Sequence, residues 1–320
     1  MEYSFIKSLA TPFDLRMVLR ALTSVRIGVL SRNLGNYALH EHDVWSQNKR
    51  GKIFPTLLYL ELTTYCSRNC RGCYIPQEER DDNTMMTRET AHNAIKNGAS
   101  LGVKFYNFLG GEPVAENTVP LMEEIVGSYP SLTFITCTNG DYIAARSDQL
   151  DGLALRNNFS VALSIDGFEG TNDRLRGRNS FRNVVSSAAY LRSRRALFGA
   201  VVTLRKLNFE EAISPDFTHF LIRNGFIYVS YAFSDELRGN LQDVAIERIE
   251  KHRDPIFKYT SLRGHMGERT QNRIARTISI GKDGSVFDVR KERRMIGTLE
   301  QDLEGVSSNR SWLRKFVQEV

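Results

Sequence analysis

Thr64-Tyr65-Cys66-Ser67-Arg68-Asn69-Cys70-Arg71-Gly72-Cys73-Tyr74 gathers three of the four cysteines of a 320-residue chain into eight residues. A disulfide framework asks for an even count and an oxidising compartment, and neither is indicated. A structural zinc site wants four closed ligands, usually in paired C-x2-C or H-x3-5-H spacing. None of His40, His42, His92, His219, His252 and His265 lies inside the loop, and no second half of a zinc ribbon follows. A C-x3-C-x2-C loop can instead wrap three thiolates around one cubic iron–sulfur cluster. Such clusters are usually held by four cysteines, so three leave one iron open for chemistry. On the loop alone the iron–sulfur reading leads and zinc remains the alternative.

Working outward, residues 56–63 read as a short buried strand that feeds the loop. Lys104-Phe-Tyr-Asn-Phe-Leu-Gly110-Gly111-Glu112-Pro113 is a second strand that ends on two glycines, a carboxylate and a proline. Glycines allow a backbone to approach a ligand with no Cβ in the way, and Glu112 offers an acceptor for an ammonium group. Further strands end in Thr138-Asn139-Gly140, Ser164-Ile165-Asp166-Gly167 and Val201-Val202-Thr203.

Cluster loop, Gly-Gly-Glu-Pro, Thr-Asn-Gly and Ser-Ile-Asp-Gly, in this order and at these intervals, resemble the radical S-adenosylmethionine (radical SAM) superfamily. In particular they resemble its peptide- and protein-modifying maturases that carry a SPASM or twitch extension. The resemblance runs over residues 56–235 and, more weakly, over 276–305. It implies a [4Fe-4S] cluster on Cys66, Cys70 and Cys73 whose fourth iron is chelated by the amine and carboxylate of S-adenosylmethionine (SAM). An electron then cleaves SAM into methionine and a 5′-deoxyadenosyl radical that abstracts hydrogen from a substrate C–H bond; the cofactor does the hard chemistry and the protein positions it.

The resemblance also assigns roles by motif. Gly110, Gly111 and Glu112 hold the SAM ammonium group. Ser164 binds the carboxylate with Arg176, whose guanidinium suits a carboxylate fork. Tyr74 lies against the adenine, Asn139 near the ribose or substrate, and Thr203 along the adenine pocket. Cys137 has the same strand parity as Asn139, so both are expected on one side of the sheet. Its thiol is a candidate hydrogen-atom donor, or simply a small buried hydrophobe. Asp166, Tyr228, Ser230 and Tyr231 are candidates for the substrate side, with Asp166 a possible base.

From residue 56 onward apolar strand runs alternate with helical patterns. Strands are expected near 57–63, 104–109, 131–137, 158–164, 197–203 and 226–232. Helices are expected near 87–101, 118–128, 143–154, 181–194 and 213–224, with Thr87 and Asn179 or Ser180 as N-caps. This is an α/β chain with a parallel sheet and right-handed crossovers: a partial (β/α)6, TIM-like barrel over 53–235. In such folds chemistry collects at the C-terminal strand ends, where every motif above lies. Residues 1–52 form an N-terminal helical segment, whose amphipathic stretch 12–31 (Leu15, Val18, Leu19, Leu22, Ile27) is read as capping the barrel bottom. Residues 236–320 form a small C-terminal extension, with a hairpin over 277–289 turning at Gly281-Lys282-Asp283-Gly284 and a terminal helix over 298–320. Where SPASM relatives bring a cysteine after that turn, Asp288 stands here, and no cysteine follows Cys137.

No run approaches the roughly 18 apolar residues of a spanning helix, and no signal peptide is evident. A reducing cytoplasm is the expected setting. The net charge of +6 is uneven: +4 over residues 1–52, −2 over 53–262 and +4 over 263–320. Basic ends suit an acidic partner, such as a flavodoxin- or ferredoxin-type reductant, a leader peptide or a nucleic acid, or are solvated helix faces. The leading expectation is modification of a ribosomal peptide or protein. The alternative is dehydrogenation, epimerisation or decarboxylation of a small metabolite, for which one cluster suffices. A metal module that binds nucleic acid leaves Gly-Gly-Glu-Pro and Ser-Ile-Asp-Gly without a purpose.

Overall fold

Six apolar strand runs punctuated by glycine, asparagine and aspartate fold as the alternating pattern requires. The computed structural model describes residues 15–49, 57–80, 83–237, 240–251, 254, 256–261, 277–288 and 294–299. In chain order the elements begin with helices α1 (Leu15–Ser24) and α2 (Ile27–Lys49), then β1 (Leu57–Thr63), α3 (Gln77–Arg80), α4 (Arg88–Ser100), β2 (Phe105–Gly110), α5 (Val119–Ser128) and β3 (Thr133–Thr138). They continue with α6 (Asp141–Ala145), α7 (Asp151–Ala154), β4 (Phe159–Ser164), α8 (Glu169–Arg176), α9 (Ser180–Ser193) and β5 (Leu197–Leu204). Then come α10 (Phe209–Ala212), α11 (Pro215–Arg223), β6 (Tyr228–Phe233), α12 (Asn240–Lys251), β7 (Phe257–Ser261), β8 (Thr277–Ile280), β9 (Ser285–Asp288) and β10 (Arg294–Thr298). The chain is thus α/β with mostly parallel strands and six β/α repeats.

Two compact units divide the chain. One comprises residues 35–137 and 264–320. In it β1 pairs parallel with β2, β2 parallel with β3, and β8 parallel with the other edge of β1; the hairpin β8–β9 and β10 extend that side antiparallel. Leu58, Leu60, Leu62, Tyr106, Phe108 and Phe134 are fully buried. The strand Thr277–Ile280 thus stands where the hairpin was expected, but it continues the parallel sheet through β1. The terminal helix expected over 298–320 lies, beyond Leu299, outside the described residues.

The other unit comprises residues 1–34 and 138–263. Here β4, β5, β6 and a further strand, β7, pair parallel in that order. Residues 15–34 cap the N-terminal strand ends of this unit, as expected, but with the opposite face. Ala21, Val25, Val29 and Leu30 pack on Ile227, Leu197 and Tyr228, while Leu15, Leu19, Leu22 and Ile27 are exposed. Arginines point inward: Arg20 donates to the carbonyls of Ile222 and Phe226 (3.0 and 2.6 Å), and Arg26 to those of Arg194 and Ala154 (2.8 and 2.9 Å). These oxygens stand at or near the ends of helices, which lack intrahelical partners and carry partial negative charge. Burial, with Arg192 nearby, pulls Arg20 down to about 10.

Two expected helices start elsewhere. The stretch 143–154 breaks into α6, a 3-10 turn at Ser147–Leu150 and α7. The stretch 213–224 starts at Pro215, where Ser214 accepts the Phe217 N–H as N-cap and the proline needs no donor. Helix α9 takes its cap from neither Asn179 nor Ser180 but from Asp173, whose carboxylate accepts the N–H groups of Asn179 and Phe181 at 2.7 and 2.9 Å.

Candidate cofactor site

The cluster loop leaves β1 and is held by its own flanks. The Cys66 N–H donates to the Arg80 carbonyl at 3.2 Å, and the Cys73 N–H to that of Cys70 at 3.3 Å. The Arg80 guanidinium, 7% exposed, donates to the Arg68 carbonyl (3.2 Å) and to the Asn69 side chain (3.1 Å). A buried cation therefore braces the arc between Cys66 and Cys70.

All three loop cysteines are half-buried thiols. Burial pushes the Cys66 thiol up to about 11; the Arg68 amide, donating to its sulfur, pulls it back, and Glu112, Cys70 and Cys73 raise it further. Among the described residues no three His, Cys, Asp or Glu side chains converge as ligands of one ion. A cube offers each thiolate its own iron, so the three sulfurs need not meet at one centre. Three soft donors on one braced loop fit such a cluster.

Gly110 and Gly111 make their close approach to the chain itself. A Cβ on Gly110 would stand 2.1 Å from the Thr63 carbonyl oxygen, and one on Gly111 2.1 Å from that of Tyr65. The Gly111 N–H donates to Thr63 O (2.8 Å) and the Glu112 N–H to Tyr65 O (2.7 Å). The glycines are thus required by the stem of the cluster loop. Glu112 is buried, with Oε1 accepting the Val114 N–H at 2.9 Å. Tyr74 is exposed, its hydroxyl donating to the Gly110 carbonyl at 3.2 Å. Cysteine loop, Tyr74 and Gly-Gly-Glu thus come together in one unit. Cys137 lies there too, half-buried in β3.

In the other unit the strand-end motifs gather around Asp166. This buried carboxylate accepts a hydrogen bond from Arg176 Nη2 at 3.0 Å, stands 2.7 Å from Arg176 Nε in an ion pair, and also accepts the Thr203 N–H at 2.7 Å. Asn172 accepts the Asp166 N–H (2.8 Å), and Asn208 donates to the Asp166 and Thr203 carbonyls (2.7 and 3.0 Å). Ser164 closes β4 just before this knot. Asn139 lies beyond the end of β3, so strand alternation no longer governs it; its oxygen accepts the Asp141 N–H and starts α6. Two substrate-side candidates fall elsewhere. Tyr228 begins β6 at the end that α1 and α2 cover, and Tyr231 is in the core, its hydroxyl donating to Ala212 O and its pKa raised chiefly by burial. Sequence reasoning missed Arg80, Asn172 and Asn208, polar residues with no motif spacing to mark them.

Residues 60–213 match the family model of the radical SAM superfamily. The chain carries a radical SAM domain. A curated protein of Archaeoglobus fulgidus is 29% identical over 196 residues, which cover 60% of this chain; the match spans 44% of that protein's length. Among solved structures, Streptococcus suis SuiB bound to precursor peptide SuiA aligns with a TM-score of 0.62 at 18% identity, over 85% of this chain and 69% of SuiB. The enzyme anSMEcpe with bound AdoMet aligns with a TM-score of 0.57 at 16% identity, over 82% of this chain and 80% of its own. At those identities the likeness is one of fold, the partial barrel expected from the β/α repeats.

Proposed function

We propose that this protein cleaves SAM at one [4Fe-4S] cluster held by Cys66, Cys70 and Cys73, and uses the resulting radical chemistry to modify a peptide or protein. The observation that carries the reading is the pair of hydrogen bonds from Gly111 and Glu112 to Thr63 and Tyr65. They make the three-cysteine loop and the ammonium-binding carboxylate one rigid piece. Bound there, the cluster supplies the electron that breaks the sulfonium bond of SAM. The residues do the rest: Glu112 and the Gly110–Gly111 backbone receive the SAM ammonium, Ser164 its carboxylate, and Arg176, oriented by Asp166, lends positive charge to that carboxylate. Tyr74 and Thr203 face the adenine, and Asn139 the ribose. Asp166, its oxygens committed to Arg176 and Thr203, orients; it is not the substrate base. Cys137 remains the candidate hydrogen-atom donor.

Support for a peptide substrate comes from neighbours of the same fold: SuiB was solved with its precursor peptide, and anSMEcpe with AdoMet and a peptide. One fact favours a second reading, a small metabolite: this sequence has no cysteine after Cys137, so it offers no thiolates for an auxiliary cluster. A flavodoxin- or ferredoxin-type reductant in a reducing cytoplasm completes the proposal, with the barrel over 53–235 and an extension over 236–320.

The test is anaerobic reconstitution with iron and sulfide, followed by SAM and dithionite. Release of 5′-deoxyadenosine by the wild type and its loss in Cys66→Ala are expected. A colourless protein that binds zinc and releases no deoxyadenosine refutes the reading. Incubation with candidate peptides and metabolites then separates the two substrate classes.

A further inference from the structure

The hairpin β8–β9 has no cysteine with which to hold a metal group; what its turn carries is Lys282. Parallel pairing decides where that lysine goes. Leu57 stands opposite Thr277 and Leu60 opposite Ile280, so β8 finishes at the same end of the sheet as β1, where the cluster loop begins. The turn is firmly built. The Gly284 N–H donates to Gly281 O at 2.9 Å, the Ser285 N–H to the Asp283 carboxylate at 3.0 Å, and the Leu299 N–H to Gly284 O at 3.0 Å.

From this turn the half-buried Lys282 donates from Nζ to two hydroxyls, Thr64 Oγ1 at 3.1 Å and Thr84 Oγ1 at 2.5 Å. Thr64 precedes Cys66 by two residues. Thr84 belongs to the segment that returns alongside β1, where its carbonyl accepts the Thr63 hydroxyl at 2.9 Å. One ammonium therefore joins the extension, the stem of the cluster loop and the strand-like return. Two hydroxyl partners hold the ammonium. Asp283, beside it in the turn, feels that charge.

The loop has need of a cation. Loaded, it carries three thiolates, and the buried Glu112, tied by its N–H to the Tyr65 carbonyl at 2.7 Å, adds a carboxylate to the same piece. Each added electron makes the group more negative, and cluster potentials follow net charge and hydrogen bonding. A fixed positive charge at the stem favours the reduced form.

We propose that Lys282 is a positioning residue for the cluster, locking the stem of the Cys66–Cys73 loop and raising the reduction potential of the group bound there. The inference rests on those cysteines holding the cluster. The test compares full-length wild type, Lys282→Met, Lys282→Gln and Lys282→Arg. Each is reconstituted anaerobically, assayed for iron, titrated potentiometrically with electron paramagnetic resonance readout, and melted in metal-free form. The Met and Gln variants should load iron yet titrate at a more negative potential, with metal-free melting close to wild type, while the Arg variant keeps the wild-type potential. Loss of iron from the Met and Gln variants with unchanged metal-free melting supports the locking role. A wild-type potential in either loaded variant overturns the proposal, as does loss of iron together with collapse of the metal-free fold. Wild-type protein that binds no iron sinks the cluster assignment instead.

Discussion

Arg176 and Asp166 form a buried ion pair, Nε to Oδ2 at 2.7 Å with a hydrogen bond from Nη2 to Oδ1 at 3.0 Å, their side chains only 13% and 3% exposed. The pair joins the end of β4 to the end of α8, and through Thr203 to the end of β5. Removing one partner of a buried pair leaves the other charge uncompensated, at a cost of about 3 kcal/mol or more. Asp166→Asn should therefore lower stability by about that amount in urea unfolding of the metal-free protein and weaken SAM binding as Arg176 loses its orientation. Stability and SAM affinity both equal to wild type would show the pair to be incidental.

Gly111→Ala puts a methyl group 2.1 Å from the Tyr65 carbonyl oxygen. The backbone of the loop stem has to move, and such overpacking costs about 1–3 kcal/mol. We expect reduced iron and sulfide per chain after reconstitution, because Cys66 follows Tyr65 directly. Full iron content with a wild-type absorption spectrum would contradict the role given to the Gly-Gly pair.

Arg80→Met removes the two donors that brace the arc from Cys66 to Cys70. Hydrogen bonds from a charged group contribute about 1.5–3 kcal/mol, so the metal-free loop should open more often. Trypsin should then cut faster after Arg68 and Arg71 than in the wild type, with the core strands still protected. Arg80→Lys, which keeps charge but not the fork, should recover part of the protection. An unchanged cutting rate in Arg80→Met would refute the bracing role.

The raised Cys66 thiol has a signed consequence for pH. Its pKa climbs from the ordinary 9.0 to about 11 in the folded, metal-free protein. Folding therefore favours the protonated thiol: its contribution to stability is intact below pH 9 and is lost as pH rises towards 11. Iodoacetamide, which reacts with the thiolate, should label Cys66 slowly at neutral pH and progressively faster across that window. Rapid labelling at pH 7 would contradict the shift.

Much of this was legible in the residues. Strands β1 to β6 fall within about two residues of their expected positions because each is an apolar run, and β2, β3, β4 and β6 close on or near glycine, asparagine or aspartate, residues that leave extended backbone easily. Thr87 caps α4 as expected. What was not legible depended on partners distant in sequence. The leucines of α1 look like a buried stripe, yet arginines turn inward because helix-end carbonyls wait for them. Asp173 outcompetes Asn179 and Ser180 as a cap because α8 holds it at the right place. Lys282 in a Gly-Lys-Asp-Gly turn reads as a solvated tip, and only parallel pairing of β8 with β1 brings it to Thr64. The glycines of Gly-Gly-Glu-Pro marked a close approach, but not that the Thr63 and Tyr65 carbonyls also make one.

The seam between β1 and β8 also dictates an order of events during synthesis. Ser279 finds its acceptor on Glu61, 218 positions earlier in the chain. Until that late strand emerges from the ribosome, one flank of Leu57–Thr63 has no hydrogen-bonding neighbour, and an open strand flank invites wrong pairing. The nascent polypeptide therefore spends most of its translation with the strand ahead of the cysteine loop half-clothed, and a chain halted before residue 277 would leave that flank without this partner.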